Sequence, residues 1–366
     1  MARVVIATAD VIGKRMAGPG IRAWHFAREL ARHHDLALVA RFREAADDSF
    51  AHIEWGTSEA RRAMKDAAVL IAQPTREALS LNHARAIYDL FDPIVLELDE
   101  LVRRRKSVRL RVKRSIEWGR LGLALTRGWR LIHATPRQRD FYLGVHASRN
   151  GLLEGWDSRW IEIPFGIDAV TERVETAILP GPPVIVWGGG LWDWLDPDLA
   201  IASIERANAE GTPARLLFLG ARHPNEEVER EVGIPPGASM PLVIRNGQWI
   251  PFHERQRWLE GCRASIMLHH ETPEAEMAIR TRLFDSMAFG LPAIASRGGW
   301  AATLVEEEGL GIVVETESVE SVTAAIRKLV EDDAFHASCV MNLERVRLRF
   351  AWRSVVQPLL AAIDEA

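Results

Sequence analysis

The sequence predicts two doubly wound α/β domains, and three features support this fold class. A length of 366 residues with 48% hydrophobic content is sufficient for two cores of ordinary size. Short apolar runs typical of buried parallel strands alternate with apolar residues at helical spacing. In each half, the first strand runs into a glycine-rich turn. The breaker-rich segment 171–183 separates the two halves and is predicted to be the interdomain linker.

The first domain, residues 1–170, opens with a strand at 4–7, a glycine loop, and a helix predicted to begin near Arg22. The loop contains Gly18 and Gly20. Backbone N–H groups at a helix N-terminus attract anions, and small residues let a ligand approach them, so both glycines are candidates for a phosphate site. The spacing is not Gly-x-Gly-x-x-Gly, which argues against a dinucleotide dehydrogenase.

Four further strands are predicted in this half, at 36–39, 68–72, 94–98 and 131–134. An acidic-aromatic turn precedes the strand at 94–98 and contains Asp89 and Asp92, which could bind a substrate hydroxyl. The commoner role of Asp in a turn is to bond the local backbone. Thr135 and Pro136 are predicted to begin a helix.

The second domain, residues 184–345, begins with a strand at 184–187 that runs into Gly188, Gly189 and Gly190. Further strands are predicted at 216–219 and 264–268, and His269-His270-Glu271 follows the latter. A metal site is rejected because adjacent histidines point apart and no further ligand lies at turn or helical spacing. His270 could instead contact a substrate at the carboxyl end of the strand.

The segment Met277 to Ser296 is predicted to form a helix, a stop at Gly290 and Pro292, and a buried strand at 293–295. Arg280, Arg282 and Asp285 are the polar exceptions in its apolar pattern. In the simplest interpretation, Thr272 and Pro273 begin the helix, and Glu276 and Arg280 form an exposed i,i+4 pair.

The run Asp285-Ser286-Met287-Ala288-Phe289-Gly290-Leu291-Pro292 resembles the Glu-Ala-Met-Ala-x-Gly-x-Pro run of retaining GT-B glycosyltransferases of family 4. In that family this run begins at the second Glu of a Glu-x7-Glu motif, which accepts hydrogen bonds from the nucleotide ribose. The resemblance assigns this role to Asp285. Met277 stands where the first Glu would be, so Glu276 or Glu274 must supply that carboxylate, and Glu276 is preferred.

Other segments carry the same resemblance over the whole chain. Ile163–Asp168 resembles a loop that closes the first domain, and residues 88–93 and 135–141 resemble motifs of one branch. The family's donor-facing glycines correspond to the set Gly18, Gly20, Gly188, Gly189, Gly190, Gly247, Gly298 and Gly299. The resemblance also implies that the last segment, 346–366, is a helix that packs on the first domain.

The resemblance implies a GT-B hexosyltransferase that moves a sugar from a nucleoside diphosphate sugar to a hydroxyl of a glycan, lipid-linked or small-molecule acceptor. Transfer would proceed with retention and without a metal or cofactor, and UDP is the default guess for the nucleotide. The family's phosphate-binding Arg and Lys after the glycine turn are missing, so Arg280 and Arg282 become the candidates, and Arg280, Glu276 and His270 the catalytic set. A catalytically inert nucleotide- or glycan-binding protein, or a sugar-phosphate synthase or phosphorylase of the same fold, is the alternative.

The charge is asymmetric: residues 1–170 carry a net +7 and the remainder −11. Eight cations lie close together, namely Arg103, Arg104, Arg105, Lys106, Arg109, Arg111, Lys113 and Arg114. This run is a solvated helix face, or it contacts a membrane surface or an anionic lipid-linked acceptor. Nucleic acid is not expected, because no aromatic residue interleaves the run before Trp118.

The remaining composition predicts a cytoplasmic protein, with peripheral membrane contact through the basic run as one option. No apolar run approaches the roughly 20 residues of a membrane span, and the opening segment is typical of a first strand. Only Cys262 and Cys339 occur, which fits a reducing compartment and two core thiols.

Overall fold

The computed structural model describes residues 3–14, 16–43, 50–151, 155–168, 181–219, 242–245, 250 and 254–365. The chain divides into two compact units. The first unit comprises Met1–Gly166, Met277–Ile279 and Trp352–Ala366, and the second comprises Ile167–Glu276 and Arg280–Ala351. The C-terminal segment therefore belongs to the first unit, as the fold-class prediction requires.

The sheet of the first unit has seven strands, all parallel. They are β1 (Arg3–Gly13), β2 (Asp35–Arg43), β3 (Ala51–Glu54), β4 (Val69–Ala72), β5 (Ala86–Asp89), β6 (Arg130–His133) and β7 (Trp160–Glu162). Their order is β3-β2-β1-β4-β5-β6-β7. Central strands such as β4 are buried at every position, which explains their continuous apolar sequence.

Eight helices of the first unit flank this sheet or follow it in the chain. They are α1 (Gly18–Leu30), α2 (Ser58–Asp66), α3 (Arg76–Ser80), α4 (Ile94–Arg105), α5 (Val108–Arg127), α6 (Pro136–Asn150) and, from the C-terminal segment, α14 (Trp352–Val355) and α15 (Gln357–Asp364). The predicted start of α6 is confirmed, because the Thr135 hydroxyl accepts a hydrogen bond from the Gln138 amide at 3.2 Å.

Two predictions about the first unit need correction. Helix α1 begins at Gly18 rather than near Arg22, because Pro19 is compatible with the first helical turn and the small Gly20 lets that turn lie against the Val11 carbonyl. The predicted strand at 94–98 is the first part of α4. Val95, Leu96 and Leu98 are buried there, and Ile94 is exposed. The strand lies earlier, at β5.

The sheet of the second unit has six parallel strands. They are β8 (Val184–Trp187), β9 (Arg215–Phe218), β10 (Val243–Arg245), β11 (Ala264–Met267), β12 (Ala293–Ser296) and β13 (Gly311–Val314). Their order is β10-β9-β8-β11-β12-β13. The first strand, β8, is therefore central, and the chain builds outward on one side of it before it returns to β11 on the other.

Seven helices accompany this sheet in the part of the second unit that the structure describes. They are α7 (Pro197–Ala209), α8 (Arg255–Leu259), α9 (Pro273–Met277), α10 (Thr281–Phe289), α11 (Gly299–Glu308), α12 (Val319–Glu331) and α13 (Asp333–Arg347). The helix predicted to run through Met277 is in fact two helices, because residues 278–280 interrupt it between α9 and α10. Among the described residues, no helix is both long enough and apolar enough to cross a membrane.

Candidate functional site

The strand order of the second unit locates a site before any side chain is considered. In an open parallel sheet, a ligand crevice forms at the carboxyl ends of two neighbouring strands whose connections run in opposite directions. Here those strands are β8 and β11. The glycine turn Gly188–Gly190 follows β8, and His269 and His270 follow β11. An isolated bridge between Leu195 and His269 holds the two segments together.

Asp285 lies beside this glycine turn. A Cβ atom on Gly188 would lie 3.7 Å from Oδ2 of Asp285, so the absence of a side chain keeps the space in front of the carboxylate open. Arg255 forms an ion pair with Asp285. Burial raises the pKa of Asp285, and the charges of Arg255 and Arg282 oppose that rise. The predicted carboxylate is therefore held at the switch point with one arginine bound to it.

Arg282 binds the other side of the glycine turn. Its Nε donates to the Gly188 carbonyl at 2.6 Å, its Nη2 donates to the Gly190 carbonyl, and its guanidinium lies over the Trp187 ring. Burial, followed by the charge of Arg280, lowers the pKa of Arg282 to about 9. The guanidinium is thus still protonated at neutral pH, but its charge is unfavourable where it lies, and a bound anion nearby would stabilise it.

Arg280 forms a bidentate ion pair with Glu274 rather than the predicted exposed pair with Glu276. Both hydrogen bonds measure 2.8 Å, and the two side chains are only 9% and 1% exposed. This pair spans the break between α9 and α10. Within the part of the chain that the structure describes, Nε of Arg280 is buried without a hydrogen-bond partner. A buried donor left without an acceptor costs about 1–3 kcal/mol.

Glu276 contacts the glycine turn that follows β12. Its Oε2 accepts a hydrogen bond from the Gly299 amide at 3.2 Å, at the first residue of α11. A Cβ on Gly298 would lie 2.6 Å from Oε1 of Glu276, so only glycine fits at that position without displacing the carboxylate. Glu276 thus binds a helix N-terminus that would otherwise attract an anionic ligand.

The two adjacent histidines have different environments. Burial, followed by the charge of Arg280, lowers the pKa of His269 to about 3, so this imidazole is neutral at physiological pH. The His270 Nδ1 lies 3.7 Å from Asp196 and 3.5 Å from Glu317. Its Nε2 is buried with no partner in the described structure. The His270 ring therefore faces two carboxylates with Nδ1, while the protein encloses its Nε2.

Two participants were not predicted from the sequence. Arg255 pairs with Asp285, and Trp192 stacks on Trp194 with ring centroids 5.6 Å apart directly after the glycine turn. Glu274 was the alternative to Glu276 for the family's first carboxylate, and its pairing with Arg280 was not predicted. Trp192 could have been suspected, because it stands where the family's phosphate-binding cation is missing. Arg255 carried no sequence signal.

Among the predicted residues of the first unit, Asp89 is the last residue of β5 and pairs with Arg22 of α1. Arg22 is almost fully buried and donates from Nε to Asp89 at 2.7 Å. It also donates to the carbonyls of Ile163 at 2.9 Å and Pro164 at 2.7 Å. Asp89 Oδ1 additionally accepts from the Phe91 amide at 3.2 Å. Asp89 therefore bonds the local backbone, as the commoner role of an Asp in a turn predicts, and its carboxylate also pairs with the buried Arg22.

The remaining predicted residues complete this account. Gly18 and Gly20 lie in the first turn of α1, at the carboxyl end of β1. Asp92 follows β5 in the segment that Asp89 stabilises. Gly247 lies outside the described residues. Within the described ranges, no group of three or more His, Cys, Asp or Glu side chains is placed to hold a metal.

Two Rossmann-like units with all-parallel sheets, together with a C-terminal segment that returns to the first unit, define a GT-B protein. Solved structures share this fold over the full chain. Sucrose-phosphate synthase from Thermosynechococcus elongatus is 15% identical with a TM-score of 0.69, covering 100% of this chain and 99% of that one. HepE from Anabaena, in complex with UDP-glucose, is 13% identical with a TM-score of 0.67, covering 100% of both chains.

The family assignment comes from the second unit. Residues 182–332 match the family described as Glycosyl transferases group 1. D-inositol 3-phosphate glycosyltransferase from Nocardioides sp. (strain ATCC BAA-499 / JS614) is 22% identical over 206 residues. That alignment covers 53% of this chain and 44% of the relative, so it spans less than half of that protein. The predicted resemblance to glycosyl transferases group 1 and the predicted GT-B fold are confirmed.

Proposed function

We propose that the protein transfers a glycosyl unit from a nucleoside diphosphate sugar to a hydroxyl acceptor. The observation that carries this proposal is the position of Asp285, whose carboxylate lies beside the glycine turn at the β8/β11 switch point. A carboxylate in such a crevice can accept hydrogen bonds from both ribose hydroxyls. The family match of residues 182–332 supports the same reaction class.

The diphosphate would lie near Arg280 and Arg282. Arg280 offers an unsatisfied Nε, and the pKa of Arg282 is lowered because its buried charge lacks sufficient compensation. Two phosphate charges placed here would satisfy both groups. Glu276 and His270 are proposed to contact the sugar, because both lie at the carboxyl ends of the neighbouring strands β11 and β12.

The proposed chemistry is retaining and independent of a metal. The bond between the anomeric carbon and the diphosphate oxygen breaks, and a bond from the acceptor oxygen to that carbon forms on the same face. The acceptor proton passes to the leaving phosphate oxygen. The task of the protein is then to stabilise the negative charge that develops on the leaving group, which Arg280 and Arg282 would do.

Asp285 gives the decisive test. A thermal-shift panel of UDP, GDP, TDP and ADP, followed by their sugar conjugates, should identify one nucleotide that raises the melting temperature. In Asp285→Asn, which keeps the shape of the side chain, that nucleotide should bind about 10- to 100-fold more weakly, since a charge-assisted hydrogen bond contributes about 1.5–3 kcal/mol. UDP and UDP-glucose are the first probes, because HepE was solved with UDP-glucose.

Glu210→Gln is a suitable control, because this variant also removes a carboxylate that pairs with arginines, Arg206 and Arg327, and it lies at the C-terminal end of α7. It should leave nucleotide binding unchanged. If no nucleotide stabilises the wild-type protein, or if Asp285→Asn binds as tightly as wild type, the assignment fails.

A catalytically inert binding protein is the second candidate, and one observation favours it. Arg280 and Arg282 both already bind groups of the protein, Glu274 and the glycine-turn carbonyls. Such a protein would bind the nucleotide sugar without transferring or hydrolysing it. The two functions are separated by one measurement. The nucleotide sugar that binds most tightly is mixed with hydroxyl acceptors, and release of the nucleoside diphosphate shows transfer or hydrolysis.

In an active enzyme, Arg280→Lys should lower kcat about tenfold or more, because it keeps the charge beside Glu274 but loses the free Nε.

A further inference from the structure

The N-terminal half of helix α5 is only partly covered by the protein. Of its twenty residues, the buried ones are Leu121, Gly122, Ala124 and Leu125, all in the second half. None of residues 108–117 is buried. A helix is normally stabilised by packing an apolar face, so a half-helix without a buried residue needs another explanation for its apolar side chains.

Those apolar side chains form one stripe, which we call the α5 stripe. Val108 is 71% exposed, Val112 56%, Ile116 49% and Leu123 41%. At about 100° per residue, the four positions fall within an arc of about 80° on the outer face of the helix. Isolated exposed apolar residues are common, but four on one face mark an interaction surface.

Cations lie on both sides of the α5 stripe. At the same angular spacing, Arg109 and Lys113 fall on one side and Arg111 falls on the other. Lys106, at the turn between α4 and α5, adds a further exposed charge. Three carboxylates of these two helices pair with other arginines: Glu100 pairs with Arg103 and Arg104, Asp99 with Arg114, and Glu117 with Arg120. The face is therefore apolar at its centre and positive at its margins.

We propose that this face lies on the surface of an anionic lipid bilayer. A helix with a central apolar stripe and flanking Lys and Arg residues fits the boundary between acyl chains and headgroups, with the cations at the level of the phosphates. Each cation near an anionic surface adds to the binding, and the apolar stripe adds a contribution that salt does not screen. A protein partner would need a groove with an apolar centre and acidic margins. Nucleic acid would bind the cations but would leave the four aliphatic side chains without an apolar contact. The proposal does not depend on sugar transfer.

Vesicle co-sedimentation of the full chain tests the proposal. The protein should sediment with phosphatidylcholine vesicles that contain about 30% phosphatidylglycerol and remain in the supernatant with pure phosphatidylcholine. The triple variant Val108→Ser/Val112→Ser/Ile116→Ser should bind the anionic vesicles at least about tenfold more weakly than the wild-type protein. The triple variant Arg109→Gln/Arg111→Gln/Lys113→Gln should lose about as much, and its remaining binding should depend less on salt.

The matched control replaces two exposed apolar residues elsewhere. Met341 and Leu348, 65% and 72% exposed, lie in the second unit, and Met341→Ser/Leu348→Ser should bind vesicles as wild type does. Because all the replaced side chains are exposed, melting temperatures should stay within a few degrees of wild type. Equal binding to neutral and anionic vesicles, no binding to either, or equal losses in the control and the α5 variants would overturn the proposal. So would a loss of self-association or of duplex DNA binding in the α5 variants without any loss of vesicle binding.

Discussion

At the residue scale, Asp89 illustrates how one motif residue can have two interpretations that only the fold separates. Its carboxylate pairs with Arg22, which lies 67 positions earlier, and also accepts a bond from the Phe91 amide. Arg22 in turn bonds two carbonyls near the end of the first unit. A charged guanidinium that is 1% exposed depends on this partner, so Asp89 stabilises the unit whatever else it contacts.

The replacement Asp89→Ala should lower the free energy of unfolding by about 3–5 kcal/mol, because it leaves the buried Arg22 charge without its carboxylate. Urea unfolding measures this loss. Asp92→Ala is the control in the same segment, and it should cost less than about 1.5 kcal/mol. A stable Asp89→Ala protein with impaired activity would show instead that Asp89 acts only on substrate.

The site illustrates what a sequence can predict at this scale. Asp285 and the glycines at 188–190 and 298–299 were predicted because short motifs specify a local backbone and one side chain on it. Arg255 and Glu274 were missed as partners because an ion pair depends on distance in space. The contact between Arg255 and Asp285 joins positions 30 apart, and the partner of Arg280 is six positions away, across a break that helical spacing does not predict.

At the element scale, two predictions were wrong for different reasons. The run Ile94–Leu98 is short and apolar, and such a run fits a buried strand as well as the first turns of a helix. It belongs to a helix, α4, which continues through polar residues to Arg105. The helix predicted through Met277 is broken at 278–280, where Arg280 is extended and its side chain pairs with Glu274. In this second case a tertiary contact overrides the local pattern.

The turn between β12 and α11 gives a prediction for an element. Gly299 has a φ of +70°, and a Cβ there would collide with the Ala275 carbonyl. Gly299→Ala should therefore destabilise the second unit by about 2–4 kcal/mol, through backbone strain and this collision. Gly211→Ala separates the two causes, because Gly211 has a φ of +95° with open space around its Cβ position. It should cost about 1 kcal/mol. Thermal unfolding measures both, and equal losses would remove the collision from the explanation.

At the scale of the whole molecule, the sequence predicted the class well because parallel sheets have a simple signature. Buried strands such as β8 and β12 are continuous apolar runs that precede glycine turns, and both were identified. Strand order could not be derived from those runs, because it depends on which strands the crossover connections bring together. The strands β3 and β7, at the edges of the first sheet, carry too few buried residues to give a pattern.

The discontinuous first unit gives the last prediction. The chain leaves this unit after Gly166 and returns at Trp352, whose ring stacks on His25 at 4.6 Å and contacts Phe165 at 5.1 Å. The absence of a side chain on Gly166 makes room for that ring. Trp352→Ala should therefore lower the stability of the first unit by about 3–5 kcal/mol, because it removes a fully packed aromatic side chain.

Hydrogen exchange followed by mass spectrometry should show this loss as reduced protection in α1 and β1, which belong to the same unit but precede Trp352 by more than three hundred positions. Trp24→Ala is the matched control, because Trp24 lies on α1 but is only partly buried and should cost about 1 kcal/mol. Unchanged protection of α1 in Trp352→Ala would mean that the C-terminal segment only covers the unit. Reduced protection would mean that the segment completes the core, so that the first unit becomes stable only after the whole second unit has been synthesised.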